Sequence, residues 1–177
     1  VSYGPGWAQA GSAPFSRYKT YTREGGIAAQ LIMAGPGVER RGISRAYATV
    51  MDLAPTFLEV AGATYPADGS VRPMEGESMV AHLAGAAPAV HDSTYVTTLF
   101  HAGRAYVRQG RWKLATLEPP FDEAGFELFD VEADPGETRD LAASRPDVLR
   151  EMLALWRSER ERLGIILPAE IASPPTP

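Results

Sequence analysis

The stretch from residue 94 to residue 131, TYVTTLFHAGRAYVRQGRWKLATLEPPFDEAGFELFDV, decides the fold of the second half of the chain. Gly103 and Gly110 separate its first three apolar runs, at positions where tight hairpin turns need a positive φ. Four runs are rich in the β-branched and aromatic residues that favour strands, namely Thr94–Phe100, Arg104–Gln109, Trp112–Leu117 and Phe126–Val131. The pattern predicts a four-stranded antiparallel sheet.

A long amphipathic helix is expected after this sheet. Ser144, with Asp147 three residues later, resembles a capping box, and Gly164 ends the helical pattern. The apolar positions on one face are Leu149, Met152, Leu153, Trp156 and Leu163. We expect this face to cover the sheet, with Trp112 and Trp156 between the two layers. Residues 91–166 are therefore predicted to form a small α+β domain, and residues 167–177, with four prolines, a flexible tail.

The first half of the chain shows a different pattern. Ile27–Ala34 is a nearly unbroken apolar run bounded by Gly-Pro-Gly, which is typical of a strand buried on both faces of a parallel sheet. Asp52 is a candidate N-cap for a short buried helix, and a second helix is predicted from Ser78 to Leu83. We interpret residues 1–90 as an α/β fragment, a buried strand plus helices that form the edge of a larger sheet domain.

Composition excludes several classes of function. The net charge is −5, so nucleic acid, a polyanion, is not an expected partner. No apolar run approaches the roughly 18 residues of a membrane span, so no membrane partner is expected. The chain has no cysteine, which excludes disulfides, cysteine-ligated zinc and a cysteine nucleophile. Because it starts at Val1 without a leader-like segment, we expect the chain to begin inside a longer polypeptide.

Six motifs occur in a fixed order along the chain. They are GPGWAQA (4–10), PFSRYK (14–19), EGGI (24–27), MDLAPT (51–56), RQGRWKL (108–114) and ELFDVEADPGETRDLA (127–142). In this combination the chain resembles the sulfatase family, which is related to the alkaline phosphatases, and more closely its bacterial arylsulfatase branch. The resemblance runs from about residue 3 to about residue 163.

The resemblance implies a role for Lys19. In sulfatases a lysine five residues before the glutamate of the EGG motif contacts the sulfate of the substrate, and that position is Lys19, with Glu24 following. A compact ammonium group can stabilise the charge that moves onto the leaving oxygen as the S–O bond breaks. The pair Gly25-Gly26 is expected to let the backbone turn sharply into the strand at Ile27. The alternative is that Lys19 is a solvated surface lysine beside an ordinary loop.

The resemblance also implies groups that this chain does not contain. Sulfatases use a formylglycine nucleophile, made from the first residue of a C/S-x-P/A-x-R motif, and bind calcium partly through an adjacent Asp-Asn pair. The chain has no asparagine, and its nearest match, Ser12 to Ser16, ends in serine where the motif has arginine. We therefore expect no metal ligands here and no activity of this chain alone. The acidic residues 122–123 and 130–134 are interpreted as solvated turns rather than a calcium loop.

His101, in the first hairpin, is a candidate for the rim of the substrate pocket, although a histidine in a surface turn is the favoured interpretation. Tyr18, Tyr21 and Trp7 are candidate walls of an aryl-substrate cleft, although aromatic residues at such spacing more often serve packing. The preferred function is part of an arylsulfatase-like sulfuric ester hydrolase that acts on a sulfate ester together with an N-terminal part. The alternatives are a non-catalytic interaction or scaffold domain, and part of a related phosphomonoesterase or phosphonate hydrolase.

Overall fold

The computed structural model of the chain describes residues 4–167, so the predicted tail lies outside the described residues except for Leu167. The described residues divide into two compact units. One unit combines residues 4–29 with residues 96–167, and the other comprises residues 30–95. None of the described helices is long and apolar enough to cross a membrane.

The four predicted strands are confirmed. They are β1 (Val96–His101), β2 (Arg104–Gln109), β3 (Trp112–Thr116) and β4 (Phe126–Asp130). They form one sheet in the order β1-β2-β3-β4, and each neighbouring pair is antiparallel. The first hairpin has a two-residue loop in which Ala102 (φ 50°) and Gly103 (φ 75°) are both left-handed. This is the geometry whose twist matches that of the flanking strands.

The C-terminal helix covers one face of this sheet, as predicted. We label it α5 (Pro146–Leu163), and it ends at Gly164, whose φ is 67°. The core between α5 and the sheet consists of Ala105, Val107, Leu114, Phe126, Leu128, Met152 and Trp156. Trp156 is fully buried at its centre, whereas Trp112 is only partly buried against it.

The predicted capping box at the start of this helix is wrong. The N-cap is Arg145, and no side chain caps the helix. Pro146 occupies the first helical position, where its fixed φ and missing N–H are tolerated, so the helix starts one residue too late for Ser144 to cap it. The Ser144 hydroxyl instead donates a hydrogen bond to the carbonyl of Leu141 at 3.1 Å.

Residues 4–29 contain two short helices, α1 (Pro5–Ser12) and α2 (Glu24–Ile27). They pack with residues 96–167, not within residues 30–95 as a division at residue 90 would suggest. The physical reason is a set of hydrogen bonds and ion pairs from Thr22, Arg23 and Glu24 to the sheet. The assignment of residues 1–90 to a larger α/β domain stays a prediction.

The strand predicted at Ile27–Ala34 is not formed. Residues 28–34 are neither helix nor strand, and Ile32 is 91% exposed. A strand needs a neighbouring strand for its backbone hydrogen bonds, and among residues 4–167 the one sheet contains only β1 to β4. An apolar run alone therefore does not produce a strand here.

The unit of residues 30–95 contains the helices α3 (Leu53–Val60) and α4 (Val80–Leu83). Asp52 occupies the N-cap position of α3, as predicted, but its side chain makes no capping hydrogen bond to that helix. Asp52 is the third residue of a 3₁₀ turn, Val50–Asp52, and forms a capping box with Thr49. Its buried carboxylate also accepts from the Glu77 amide at 2.9 Å and contacts His91 Nε2 at 2.9 Å. The helix α3 is less buried than predicted, because Phe57 is 60% exposed.

Candidate functional site

Lys19 lies on an exposed part of the loop between α1 and α2, residues 13–23. Two non-glycine residues beside it, Arg17 (φ 67°) and Thr20 (φ 86°), have left-handed backbones. Such a conformation costs roughly 1–2 kcal/mol for a residue with a Cβ atom. The surroundings of this loop, which we call the Lys19 loop, must therefore hold its shape.

Gln9 holds the first part of the Lys19 loop. Its side-chain Nε2 donates to the carbonyl of Phe15 at 3.0 Å, and its Oε1 accepts from the amide of Arg17 at 2.9 Å. One amide side chain thus satisfies a backbone acceptor and a backbone donor on the approach to Lys19. This gives Gln9, in the GPGWAQA motif, a defined structural role.

The pair Gly25-Gly26 holds the other end of the loop by close packing. A Cβ atom on Gly25 would lie 2.1 Å from the carbonyl oxygen of Arg17, and one on Gly26 would lie 2.2 Å from that of Tyr21. The Gly25 amide also donates to the carbonyl of Ser16 at 2.9 Å. Both glycines lie inside α2, so the predicted sharp turn is wrong. Glycine is needed at both positions because the backbone of α2 lies in contact with the backbone of the loop.

Thr22 and Arg23, both buried, attach the loop to the sheet face opposite α5. The Thr22 hydroxyl donates to the carbonyl of Thr116 at 2.9 Å. The Arg23 guanidinium forms an ion pair with Glu127 and lies 4.1 Å from the centroid of the Phe129 ring. Burial lowers the pKa of Arg23 below its ordinary value, and the neighbouring Glu137 carboxylate opposes that shift. The buried cation is therefore stabilised by its partners.

A buried cluster of three charges lies at the end of the loop. Lys113 Nζ is 2.7 Å from Glu24 Oε1 and 2.9 Å from Glu137 Oε1. The side chains of Lys113 and Glu137 are fully buried, and that of Glu24 is 14% exposed. Glu137 Oε2 also accepts from the backbone amide of Glu24 at 2.6 Å. These contacts join the loop, β3 and the turn after β4, and we call them the ionic clamp.

Aromatic and cationic side chains flank Lys19. The rings of Tyr18 and Tyr21 meet edge to face, with centroids 5.2 Å apart. The Arg104 guanidinium lies 4.4 Å from the centroid of the Tyr21 ring. Partial desolvation raises the pKa of the Tyr18 hydroxyl, and the adjacent Tyr21 raises it further.

Comparison with known proteins identifies the family of this chain. A family model described as N-sulphoglucosamine sulphohydrolase, C-terminal, matches residues 17–156, which include Lys19 and all four strands. The chain belongs to the sulfatase family. It corresponds to a C-terminal portion of a sulfatase, as the motifs predicted.

Individual relatives agree with this assignment. An uncharacterized sulfatase of Schizosaccharomyces pombe is 31% identical over 171 residues, which cover 94% of this chain and 31% of that protein. An arylsulfatase of Klebsiella aerogenes is 45% identical over 64 residues, covering 35% of this chain and 14% of the arylsulfatase. The structure of a 2-O GAG sulfatase matches with a TM-score of 0.53 and 26% identity over 73% of this chain and 28% of its own. The sulfatase chain thus spans about a third or less of each of these proteins.

The other predicted site residues, His101 and Trp7, have fewer described contacts with the Lys19 loop. His101 is exposed at the end of β1, where its register partner is Arg104, the residue that packs on Tyr21. Paired residues of an antiparallel sheet share a face, so His101 lies on the side of the sheet that carries the loop. No described contact joins His101 to Lys19, and its place at a pocket rim stays a prediction. Trp7 is 76% exposed on α1.

The acidic residues of the turns have structural partners. Asp130 forms an ion pair with Arg111 and accepts from the amide of Ala133 at 3.1 Å. Asp134 accepts from the amides of Thr138 at 2.7 Å and Arg139 at 2.9 Å. Within residues 4–167, no group of three or more potential ligands is arranged to hold a metal ion.

Sequence reasoning missed the ionic clamp. Lys113 and Glu137 lie within two of the recognised motifs, RQGRWKL and ELFDVEADPGETRDLA, but were not assigned a role. One signal was present for Lys113, because a lysine at the second position of the apolar run WKLATL needs a charged partner if that strand is central. No comparable signal marks Glu137, which follows a turn.

Proposed function

We propose that this chain forms the C-terminal part of an arylsulfatase-like sulfuric ester hydrolase and that Lys19 binds the sulfuryl group of the substrate. The observation that supports the proposal most directly is the Lys19 loop. It presents one exposed ammonium group on a backbone held by Gln9, by the glycine pair and by the sheet. Such a preorganised cation stabilises developing charge without further reorganisation.

The remaining chemistry is assigned to residues outside this chain. In the complete enzyme, formylglycine would supply the nucleophile and calcium would bind the sulfate, and the preceding part of the polypeptide would carry both. The part of the reaction that falls to this chain is to hold the sulfate oxygens at Lys19 while negative charge moves onto the leaving oxygen. Without the other groups, we expect the 177-residue chain to have no sulfatase activity.

Replacement of Lys19 tests the proposal in the complete polypeptide that contains this chain. Lys19→Met should lower kcat/KM for 4-nitrophenyl sulfate by roughly 10²–10³-fold, as loss of one charge-stabilising donor does. Lys19→Arg, which keeps the charge but changes its geometry, should lower kcat/KM by a smaller factor. The matched control is Arg150→Gln, which removes one exposed cation from α5 and should leave the kinetics unchanged.

Three outcomes would contradict the proposal. Unchanged turnover in Lys19→Met would show that Lys19 is an ordinary surface lysine. Hydrolysis of 4-nitrophenyl phosphate in preference to the sulfate would favour the phosphomonoesterase alternative. A complete polypeptide with neither activity would favour the interaction or scaffold alternative.

A further inference from the structure

The chain has two lysines, and their environments are opposite. Lys19 is exposed on its loop, whereas Lys113 is fully buried on β3. A buried ammonium group is costly unless carboxylates surround it. Lys113 has two, one from the first residue of α2 (Glu24) and one from the turn after β4 (Glu137).

Such a cluster is poorly explained by stability alone. Well-packed apolar side chains of similar volume stabilise a core as well as a buried ion pair or better. What charged and hydrogen-bonded groups add is a defined geometry. Glu137 uses one carboxylate oxygen for Lys113 and the other for the backbone amide of Glu24. The position of Glu24 is therefore specified twice, through its main chain and through its side chain.

The position of Glu24 is transmitted to the Lys19 loop by direct contact. Gly25 and Gly26 follow Glu24 and lie against the backbone carbonyls of Arg17 and Tyr21 without room for a methyl group. The Gly25 amide is also bonded to the carbonyl of Ser16 at 2.9 Å. A displacement of Glu24 must therefore displace the backbone on both sides of Lys19.

We propose that Lys113, Glu24 and Glu137 are positioning residues for the sulfate-binding Lys19, an inference that rests on the function proposed above. The ionic clamp does not touch the substrate. It places the loop so that the Lys19 ammonium reaches the sulfuryl oxygens. Lys113 thus fixes the position of Lys19 through Glu24, the glutamate of the EGG motif.

The test uses Lys113→Met in the complete polypeptide. A misplacement of about 1 Å can lower a rate by roughly 100-fold, so we expect kcat/KM for 4-nitrophenyl sulfate to fall by roughly 10- to 100-fold. The control is Met152→Ala, which removes apolar contacts on the opposite face of the sheet. It should reduce the unfolding midpoint in urea while kcat/KM, measured where the protein is folded, stays within about twofold.

A double-mutant cycle separates positioning from general destabilisation. If Lys113 acts through Lys19, the substitution Lys113→Met should lower kcat/KM by less than about threefold in the Lys19→Met background. Full additivity of the two effects would overturn the inference. So would a Lys113→Met variant whose kcat/KM matches that of Met152→Ala.

If Lys113→Met does not fold, Glu24→Gln decides the question. Glutamine keeps the side-chain shape and one acceptor oxygen but removes the charge facing Lys113. We expect a several-fold loss of kcat/KM that disappears in the Lys19→Met background. Amide hydrogen exchange of residues 16–21 should also become faster in Glu24→Gln and not in Met152→Ala. Unchanged kinetics and unchanged exchange would overturn the inference.

The two proposals fail in distinguishable ways. If Lys19→Met leaves kcat/KM unchanged, the proposed function fails and the inference fails with it. If Lys19→Met is impaired but the clamp variants behave like Met152→Ala, the inference alone fails.

Discussion

The two faces of the β-sheet are covered in physically different ways. On one face, apolar side chains of β2, β3 and β4 pack against Met152 and Trp156 of α5. On the other, the Lys19 loop is attached through the ion pairs of Arg23 and Lys113 and a hydrogen bond from Thr22. Apolar packing is non-directional, whereas ion pairs and hydrogen bonds specify where each group lies. The first face accounts for the stability of the unit and the second for the position of the Lys19 loop.

The largest expected effect on stability comes from removing a buried side chain from the apolar face. Trp156 is fully buried, and its ring meets those of Phe121 and Phe126 at centroid distances of 5.5 and 5.4 Å. Trp156→Ala should therefore lower the free energy of unfolding by about 3–5 kcal/mol, measured by urea denaturation. If the faces are as separate as we infer, the folded Trp156→Ala variant of the complete polypeptide should still bind and turn over substrate normally. A specific loss of kcat/KM in the folded variant would contradict the separation of the two faces into one for stability and one for the position of the loop.

A smaller effect is expected from disturbing the contact between the glycine pair and the loop. Gly26→Ala would place a methyl group 2.2 Å from the Tyr21 carbonyl oxygen, so two backbones must separate. We expect a loss of about 1–3 kcal/mol in unfolding free energy, with faster hydrogen exchange in the Lys19 loop.

Gly11→Ala is the matched control for this substitution. Gly11 lies in α1, and a Cβ atom there would meet nothing within 4 Å. Alanine is favoured over glycine in a helix, so this variant should be unchanged or more stable by up to about 1 kcal/mol. Equal effects of the two substitutions would contradict the role we give to Gly26.

The smallest effect is a pH dependence from an ion pair at the end of the sheet. The hydrogen bond from Arg111 lowers the pKa of the Asp130 carboxyl below its ordinary value. Since the folded chain then binds fewer protons than the unfolded chain near pH 4, this contribution to stability is complete above the unfolded pKa of about 3.9. It is lost as the pH falls through the lower folded-state pKa.

Urea denaturation between about pH 6 and pH 2 measures this contribution, with Asp130→Asn as the comparison. The stability difference between the original chain and the variant should shrink as the pH falls. Because Arg111 is about half exposed, the difference should remain small at every pH. A difference that grows toward low pH would contradict the assigned pKa shift.

The family and the α+β domain could be predicted from the sequence because their signals are local. Strands such as Arg104–Gln109 lie between glycines that permit tight turns, and the helix from Pro146 carries its apolar residues at helical spacing. The sulfatase motifs likewise occur as short contiguous segments. These predictions needed no knowledge of which distant residues meet.

The site could be predicted only in part. Lys19 follows from a motif, but the reason that its loop is held in place depends on residues 24, 113 and 137, which are far apart in the chain. The same dependence explains the wrong strand at Ile27–Ala34, whose formation requires a partner strand. The capping box predicted at Ser144 is wrong because a shift of one residue changes which side chain can reach the helix end. The Asp52 carboxylate, although at the N-cap of α3, bonds to distant groups such as the Glu77 amide and His91 instead.

By itself, the sequence determined the β-meander, the helix that covers it, the sulfatase family and the lysine proposed to bind sulfate. Each of these depends on residue types within a few positions of one another. Only the tertiary structure decided that the EGG glutamate pairs with a buried lysine of β3, and that its glycines are required for backbone contact rather than for a turn. Those facts are set by long-range pairing and excluded volume, which no local pattern encodes.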